Sequence, residues 1–422
     1  MRLPILVQRM VVAAPRSPVT HVVGSVLQLS AQMAQVMLIA HMFGAGVVGI
    51  YGYSLALITP LVLLANWHVR HALVMDGSRH FAWSAYARLR GFSFLVAMPL
   101  LVSGLLLPGL NGYESLYLCL AFQRLIEMWF DLHYSVHQRS GEIGRIGIGV
   151  GTRGFLGVVA FMGVLMGTRN IALAVLTQTA VSWGWWMICE RPALCRGRNR
   201  CGELPTAESS SLKLFQHIWP LGVTVTLGSF VAVFPRIALA ERHGLDEAGH
   251  FILLGYLFIP AILAQAALQQ MVAPRLAEAS ATGDRAGLLH LVVRLSVLQF
   301  ILQMVIAAAV FLTQQAIGFS WLAPDFSLAT SDLVWFALSQ CTAVALNSIG
   351  LVMDADGRYR EKLFFWSALT VIGIVLTWWL APQGIAGVSK AAVLAGICGG
   401  IFAAIWLRRS LSPNLPAKGL FP

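Results

Sequence analysis

Charge is what this chain has least of. Of its 422 residues 11% are Asp, Glu, Lys or Arg, against 58% hydrophobic, whereas a soluble domain carries roughly 25% charged residues. That shortage excludes a soluble globular protein, and no polar stretch is long enough to hold a separate water-soluble domain. Acid is scarcer than base, 18 Asp and Glu against 29 Lys and Arg, and the first two apolar segments hold no carboxylate. Cysteine is scarce as well. Cys189, Cys195 and Cys201 stand six residues apart, a spacing that fits no zinc pattern, and Cys119, Cys341 and Cys398 fall inside apolar segments. All six read as reduced, structural thiols. The histidines are scattered; His68, His71 and His80 come nearest one another, without metal-ligand spacing. A cleaved signal is missing too: Met1–Thr20 has three arginines and no small-residue cleavage site after a compact apolar core.

What is present is apolar length. Runs of about 18 or more apolar residues recur, enough to cross a hydrocarbon layer about 30 Å thick. The pattern predicts helices at residues 22–43, 47–66, 92–110, 115–136, 146–166 and 170–189, then at 215–239, 249–271, 288–312, 332–353, 362–381 and 384–407. Basic residues set the orientation, because basic loops stay cytoplasmic. Connections after even-numbered spans hold Arg70, Arg79, Arg88 and Arg90, then Arg139 and Arg145, then a run from Arg191 to Lys213, and so on to Arg408 and Arg409. The alternate connections hold only Arg169 and Arg242. The expectation is a multi-pass protein of a cytoplasmic (cell inner) membrane with both termini cytoplasmic, and its net charge of +11 reflects topology rather than a nucleic-acid surface.

The chain repeats itself. The stretch Pro235 to Pro260, PRIALAERHGLDEAGHFILLGYLFIP, has a fainter copy 200 positions earlier, FGAGVVGIYGYSLALITP. Gly44 matches Gly244, Gly49 matches Gly249, Leu57 matches Leu257 and Pro60 matches Pro260, and the same ungapped offset lays helix ends on helix ends. Each half then has six helices. An even number enters the membrane in the same direction twice, so the repeats are parallel, related by an axis along the membrane normal. The expected fold is an all-α polytopic membrane protein of about twelve helices, two parallel six-helix repeats around a central cavity. The lobes would be residues 1–189 and 213–422, joined by a cytoplasmic linker at 190–212. Two connections, Met75–Gly91 and Ala273–Leu289, interleave apolar residues with arginine and read as elbows on the membrane surface.

Charges inside spans are costly and mark cavities or partners. The fourth span holds Arg124, Glu127 and Asp131, followed by Tyr134 and Gln138; spacings of three, four, three and four place all five on one helical face. Arg153 lies in the fifth span, Arg236 follows Pro235 in the seventh, Arg294 lies in the ninth and Lys390 in the twelfth. Basic residues outnumber acids within the spans, so a central cavity would be cationic. Two readings stay open at several positions. Arg294 and Lys390 either face that cavity or snorkel to the nearer surface, Asp131 and Gln138 can serve as a solvated helix end, and an Arg124–Glu127 pair can be structural.

That face resembles the basic-xxE-xxxD-xxYG-xxQ pattern of polysaccharide flippases, in which a run ending in Arg-Gly follows on the next helix, as Thr152-Arg153-Gly154 does here. PRIALAERHGLDEAGHF is similar to their proline-arginine, glycine, glycine-aromatic signature, and APRLAEASATGDR to the loop after it. The chain departs from the pattern at Ser135, where glycine is usual. The resemblance, spread over nearly the full length, is to the O-antigen and exopolysaccharide exporters of the multidrug, oligosaccharidyl-lipid and polysaccharide superfamily. It implies a flippase, not an enzyme, that carries a polyprenyl-diphosphate-linked oligosaccharide to the outer leaflet by alternating access. Taken with the charges inside spans, the expected substrate-binding residues are Arg124, Arg153, Arg236, Glu127 and Asp131, with Lys390 the weaker candidate. The implied partners are the lipid-linked oligosaccharide, membrane lipids, H+ or Na+ as coupling ion and polysaccharide polymerase machinery, with no cofactor and no nucleic acid. The chemistry suits the implication, since guanidinium groups bind phosphate oxygens as bidentate forks.

Competing classes fit less well. A multidrug or cation antiporter of the same superfamily is the main alternative, but a cation site wants buried carboxylates. An integral glycosyltransferase or polymerase would need a catalytic cluster. Asp354-Ala355-Asp356 mimics a metal-binding DxD only as a three-residue match before Gly357-Arg358, and reads as helix-end punctuation. The charge pattern itself is testable: reporter fusions are expected to score cytoplasmic at Arg200, Arg285 and Arg358 and external at Arg169 and Pro324, and a cytoplasmic signal at Pro324 would overturn the topology of the second half.

Overall fold

The computed structural model describes residues 18–75, 81–106, 110, 112–139, 141–192, 209–320, 326, 328–355 and 358–410. All regular structure among them is helical. In chain order the helices are α1 (Pro18–Phe43), α2 (Ala45–Asn66), α3 (Val69–Met75), α4 (Trp83–Ser103), α5 (Glu114–Arg139), α6 (Ile143–Thr168), α7 (Ile171–Trp185), α8 (Ser211–His243), α9 (Leu245–Leu257), α10 (Ile259–Ala281), α11 (Arg285–Ile317), α12 (Thr330–Ala355), α13 (Tyr359–Leu380) and α14 (Gly384–Ser410). A π turn, Trp186–Glu190, extends α7.

By length and apolarity nine segments among the described residues can each cross a membrane, and α9 with the first turns of α10 adds a tenth, bent by 48°. One of the nine, Arg360–Trp406, is really a pair. It contains α13 and α14, which pack side by side across the turn Ala381–Gln383. The remaining span is α5. Every 18-residue stretch of it contains Arg124, Glu127 and Asp131, which hides it from a test of apolarity. Twelve spans result among the described residues, as the apolar pattern predicts.

The chain forms two compact units. Unit 1 is Met1–Met42 with Ser54–Thr226, and unit 2 is Phe43–Tyr53 with Leu227–Pro422. In unit 1, α1 lies against α6 through glycines: a Cβ on Gly24 would strike the Gly147 backbone, and one on Gly147 would strike the backbone of Thr20 and His21. Small residues of this kind let helix backbones approach where no water drives association. Gln178 donates to Gln35 across 3.1 Å in the same unit. The turn from α5 to α6 is closed by Glu142, which accepts from Arg145 at 2.8 Å and lies 3.2 Å from His137. In unit 2 an apolar core of Leu276, Leu288, Val352, Met353, Phe365 and Ala403 is crossed by a polar ladder. Gln265 donates to Gln303 at 3.0 Å, Gln299 to the Gln265 carbonyl at 3.3 Å, and Ser348 to Gln299 at 3.3 Å.

Unit 2 also holds the meeting point of the two sequence copies. Gly44 and Gly244 both break a helix at φ values of 81° and 91°, a left-handed conformation that glycine adopts without strain. The helices that restart after them, the first turns of α2 and α9, lie against each other. Gly46 faces Asp246, Gly49 faces Gly249 and Gly52 faces Ile252. Like positions meet like positions, so the two helices run parallel and in register. The contact is also reciprocal. A Cβ on Gly49 would meet the Leu245 carbonyl oxygen, and one on Gly249 the Ala45 carbonyl oxygen. A local twofold relation between the copies follows from that reciprocity.

The copies differ further along. Pro60 sits inside α2, which continues to Asn66, whereas in the second copy the helix breaks at Phe258, leaving Pro260 as the second residue of α10. Proline is well placed in a first turn, where its missing N–H has no partner to lose. The first copy breaks later, at Trp67 and His68, both left-handed at φ 50° and 54°. Pro235 does not interrupt α8, which runs through it to His243. The expected surface elbows are not separate elements where they are described: Trp83–Gly91 forms the first turns of α4, and Ala273–Ala281 the last turns of α10. Residues 76–80 of the first elbow, residues 193–208 of the linker with Cys195 and Cys201, and Asp356 lie outside the described residues.

The glycine crossing carries a direct prediction. Gly49→Ala and Gly249→Ala each force the backbones apart, and overpacking of this kind costs about 1–3 kcal/mol. Each is expected to lower the Tm of detergent-purified protein by several degrees. Gly163→Ala, whose Cβ would meet nothing within 4 Å, leaves it unchanged, and equal Tm values for all three would refute the crossing.

Candidate functional site

The charged face of α5 lies in unit 1 and becomes less exposed along its length. Arg124 and Glu127, with side chains 35% and 33% exposed, pair at 2.5 Å. One turn on, Asp131 accepts from Arg70 of α3 at 2.9 Å. Arg70 also gives its Nε and Nη2 protons to Gln138 Oε1, at 3.2 and 3.1 Å. Thus Arg124 and Arg70, on different helices, each answer one of the two acids. Between these turns Tyr134 is buried, and its hydroxyl donates to Glu190 Oε1 at 3.3 Å.

Glu190 is the residue that sequence reasoning missed, because it stands where the apolar run gives way to the expected linker. It ends the π turn after α7 and is only 7% exposed. A signal was available: Trp183, Trp186 and Glu190 are spaced by three and four, which puts the acid on the face of the two tryptophans. Those rings stack 5.2 Å apart and both pack on Phe130 of α5, at 6.0 and 5.8 Å. The carboxylate is therefore carried inward by an aromatic face. Room for it comes from α6. A Cβ on Gly149 would stand 2.8 Å from Glu190 Oε1 and 3.4 Å from the Tyr134 hydroxyl oxygen.

Arg153 follows Gly149 by four residues and so lies on the same face of α6, about 15 Å from the helix start at 1.5 Å per residue. It is 8% exposed, its guanidinium carbon 4.4 Å from the Phe130 ring centroid and 5.5 Å from that of Tyr134. The charges of Glu190, Glu127 and Asp131 act on it, yet none comes within ion-pair distance of it among the described residues, and its Nη1 has no hydrogen-bond partner there. The rings hold the charge by cation–π attraction and leave a donor unused. Glu190 Oε2 is likewise buried, and the Trp185 indole acts on the carboxylate without reaching good hydrogen-bond geometry.

A second buried guanidinium stands in the same unit. Arg90, assigned from sequence to a basic surface elbow, is fully buried in α4. Its Nη1 donates to Asn66 Oδ1 at 2.5 Å, while Nε and Nη2 have no partner among the described residues. It escapes notice in the sequence because it precedes the uninterrupted apolar run, whereas α4 begins about two turns earlier, at Trp83.

Arg236 and Lys390 belong to unit 2. Arg236 is half-buried in α8, where Tyr256 acts on its charge and Nε has no partner among the described residues. Lys390 donates to Gln383 at 2.9 Å and lies 5.4 Å from the Trp335 ring, so its ammonium is already engaged within unit 2. Arg294 is exposed on α11. The structure thus gathers Arg124, Glu127, Asp131 and Arg153 in one unit and keeps Arg236 and Lys390 in the other.

No family model matches the sequence. Among curated proteins the chain is similar to the capsular polysaccharide biosynthesis protein CapF of Staphylococcus aureus, 23% identical over 236 residues. The match takes in 54% of this chain and 57% of CapF, little more than half the length of that relative. Solved structures match over almost the whole chain. An outward-facing multidrug resistance MATE family transporter of the MOP superfamily superposes with a TM-score of 0.69 at 12% identity, covering 96% of both chains. The MATE multidrug transporter DinF-BH, solved as a complex, gives 0.64 at 14%, again over 96% of both. A MOP superfamily transporter from Pyrococcus furiosus, described as having a binding pocket of reverse polarity that suggests a different function, gives 0.64 at 12% over 96% of both. At these identities the likeness is one of architecture, and the chain has the fold of the MATE transporters of the MOP superfamily.

Proposed function

We propose that this chain moves a polyprenyl-diphosphate-linked oligosaccharide across the cytoplasmic membrane for cell-surface polysaccharide assembly. The observation that carries the reading is Arg153: a guanidinium buried against aromatic rings, deep in a span, with an N–H that nothing among the described residues accepts. Burying a charge with unfilled hydrogen-bonding capacity is costly, and native structures keep such groups for a reason. A phosphate oxygen satisfies it in kind. The face of α5 supplies a graded approach, from the third-exposed Arg124–Glu127 pair to the buried Tyr134. Arg90, with two further unused donors, adds to the cationic character of unit 1. The similarity to CapF supports a polysaccharide substrate, and the MATE-like fold supports translocation without covalent chemistry.

In this reading the diphosphate is held by guanidinium forks while the polyprenyl tail stays in lipid, and the glycan crosses with the headgroup by alternating access. Arg236 in unit 2 is the second candidate for phosphate, and Lys390 the weaker one, since Gln383 and Trp335 already occupy it. A cation antiporter is the competing reading, and Glu190 is its one specific support. A cation there would sit in the field of the Arg153 charge, which disfavours it.

Uptake of radiolabelled polyprenyl-diphosphate oligosaccharide into proteoliposomes tests the substrate. Arg153→Lys keeps the charge but loses the fork and is expected to retain a minor part of the wild-type rate; Arg153→Ala falls to background. A structural arginine behaves differently, because its removal leaves the Glu190 charge without compensation in a dry setting and lowers the amount of folded protein. The double change Arg153→Ala with Glu190→Gln separates the two. Restored abundance without restored uptake supports substrate binding, whereas restored uptake means that Arg153 only balances Glu190.

A further inference from the structure

Arg90 presents a whole guanidinium edge that nothing among the described residues fills, and we infer that this edge holds a halide ion, chloride in the cell, inside unit 1. The side chain is 0% exposed. Asn66 Oδ1 takes one end of the guanidinium, accepting from Nη1 at 2.5 Å. The opposite edge, Nε with Nη2, has no partner among the described residues. In the rigid fork of an arginine those two nitrogens turn an N–H the same way, toward one acceptor. Arg70 shows the geometry in the same unit: it gives that edge to a single oxygen, Gln138 Oε1, at 3.2 and 3.1 Å.

Countercharge is short around it. Asp131, the acid whose charge reaches Arg90, already holds Arg70 at 2.9 Å. The residues that share its buried face of α4 are uncharged, Tyr86, Ser93 and Ala97, and Ser93 spends its hydroxyl on the Leu89 carbonyl at 3.0 Å. Phe94, one turn beyond Arg90, packs against Trp129 of α5 at 5.9 Å, and the Trp129 indole N–H is also buried without a partner among the described residues. Unused donors call for an acceptor from outside the chain. A water molecule accepts from both N–H groups of the edge, but it brings two donors of its own and leaves the charge unbalanced. An anion answers the hydrogen bonds and the charge together. Full burial selects a small, spherical one, because a lipid phosphate needs an opening to the bilayer. Asn66 is the last residue of α2, and Trp67 and His68 turn left-handed directly after it. The filled edge therefore ties α4 to the helix break of the first sequence copy. The cationic character that Arg90 lends to unit 1 is met at Arg90 itself, and Arg153 stays open to the diphosphate.

Full-length protein in detergent tests this with chloride and bromide as the probes. When either replaces gluconate at constant ionic strength, the Tm is expected to rise by several degrees, with the logarithm of halide concentration once the dissociation constant is passed. Arg90→Met combined with Asn66→Leu removes the charge and the amide that holds it, and its Tm is expected to be the same with and without halide. Crystals of the wild-type protein grown in bromide give a readout that needs no variant: an anomalous peak at hydrogen-bond distance from Arg90 Nε and Nη2. A wild-type Tm that ignores halide overturns the inference, as does a crystal in which water or a carboxylate of the chain fills that edge. Equal halide responses in wild type and the double variant overturn it too, by placing the ion elsewhere. Stabilisation through Arg90 by inorganic phosphate, or by phosphatidylglycerol added to the micelles, that halide does not match also overturns it and assigns the edge to an oxyanion. None of these outcomes bears on the proposed substrate, which stands or falls on uptake by the Arg153 variants.

Discussion

A guanidinium in the middle of a hydrocarbon-spanning bundle cannot borrow water to spread its charge. Everything around Arg153 answers to that constraint. Phe130 and Tyr134 cover its faces, Gly149 one turn earlier makes space for an opposing carboxylate, and Glu190 is brought in from another helix to provide it. A side chain at position 149 would crowd the carboxylate, which the π turn after α7 carries. The site is an arrangement of three helices, α5, α6 and α7, around one charge, and the tryptophans of α7 pack there because the face that carries the acid must itself be apolar.

The charges on α5 are answered in order of depth. Arg124 and Glu127 pair where water can share the load, so the pair is worth little to stability. Asp131 takes Arg70 Nη1 from a neighbouring helix, and Gln138 accepts from that residue's other two nitrogens. Only at Tyr134 and Glu190 does the network become dry. The same helix is thus solvated at one stretch and buried at the next, which is why its composition defeats a simple test of apolarity although it is a full member of the bundle.

Most of the architecture was legible in sequence because hydrocarbon permits few solutions. The sequence pattern placed twelve spans, α5 among them although its charges interrupt the apolar run. The gaps it left at residues 44–46 and 240–248 contain the breaks observed at Gly44 and Gly244, where glycine takes the backbone turn without strain. The three-and-four spacing also placed Arg124, Glu127, Asp131 and Tyr134 on one face, where the charges prove to be paired and Tyr134 reaches the buried acid. Two kinds of residue escaped. Glu190 and Arg90 stand at the edges of apolar runs, where a charge looks like the end of a span, and their burial depends on neighbouring helices that extend past those edges. The asymmetric breaks, at Phe258 in one copy and at Trp67 and His68 in the other, escaped as well. Both copies carry the proline, so the proline alone does not set where the helix breaks.

Unit 2 includes a short piece of chain, Phe43–Tyr53, made long before the rest of it. Its partner, the first turns of α9, lies 200 residues further on. At synthesis rates of about 5–20 residues per second the glycine face of α2 waits roughly 10–40 s in the membrane before its match exists. Over that interval the face is exposed to lipid or to other helices, and Gly46, Gly49 and Gly52 offer any of them a close approach. Insertion of this protein is therefore governed by time as well as by sequence: the first-made half must remain unfinished, with its closest helix contact held open, until the second repeat arrives to close it.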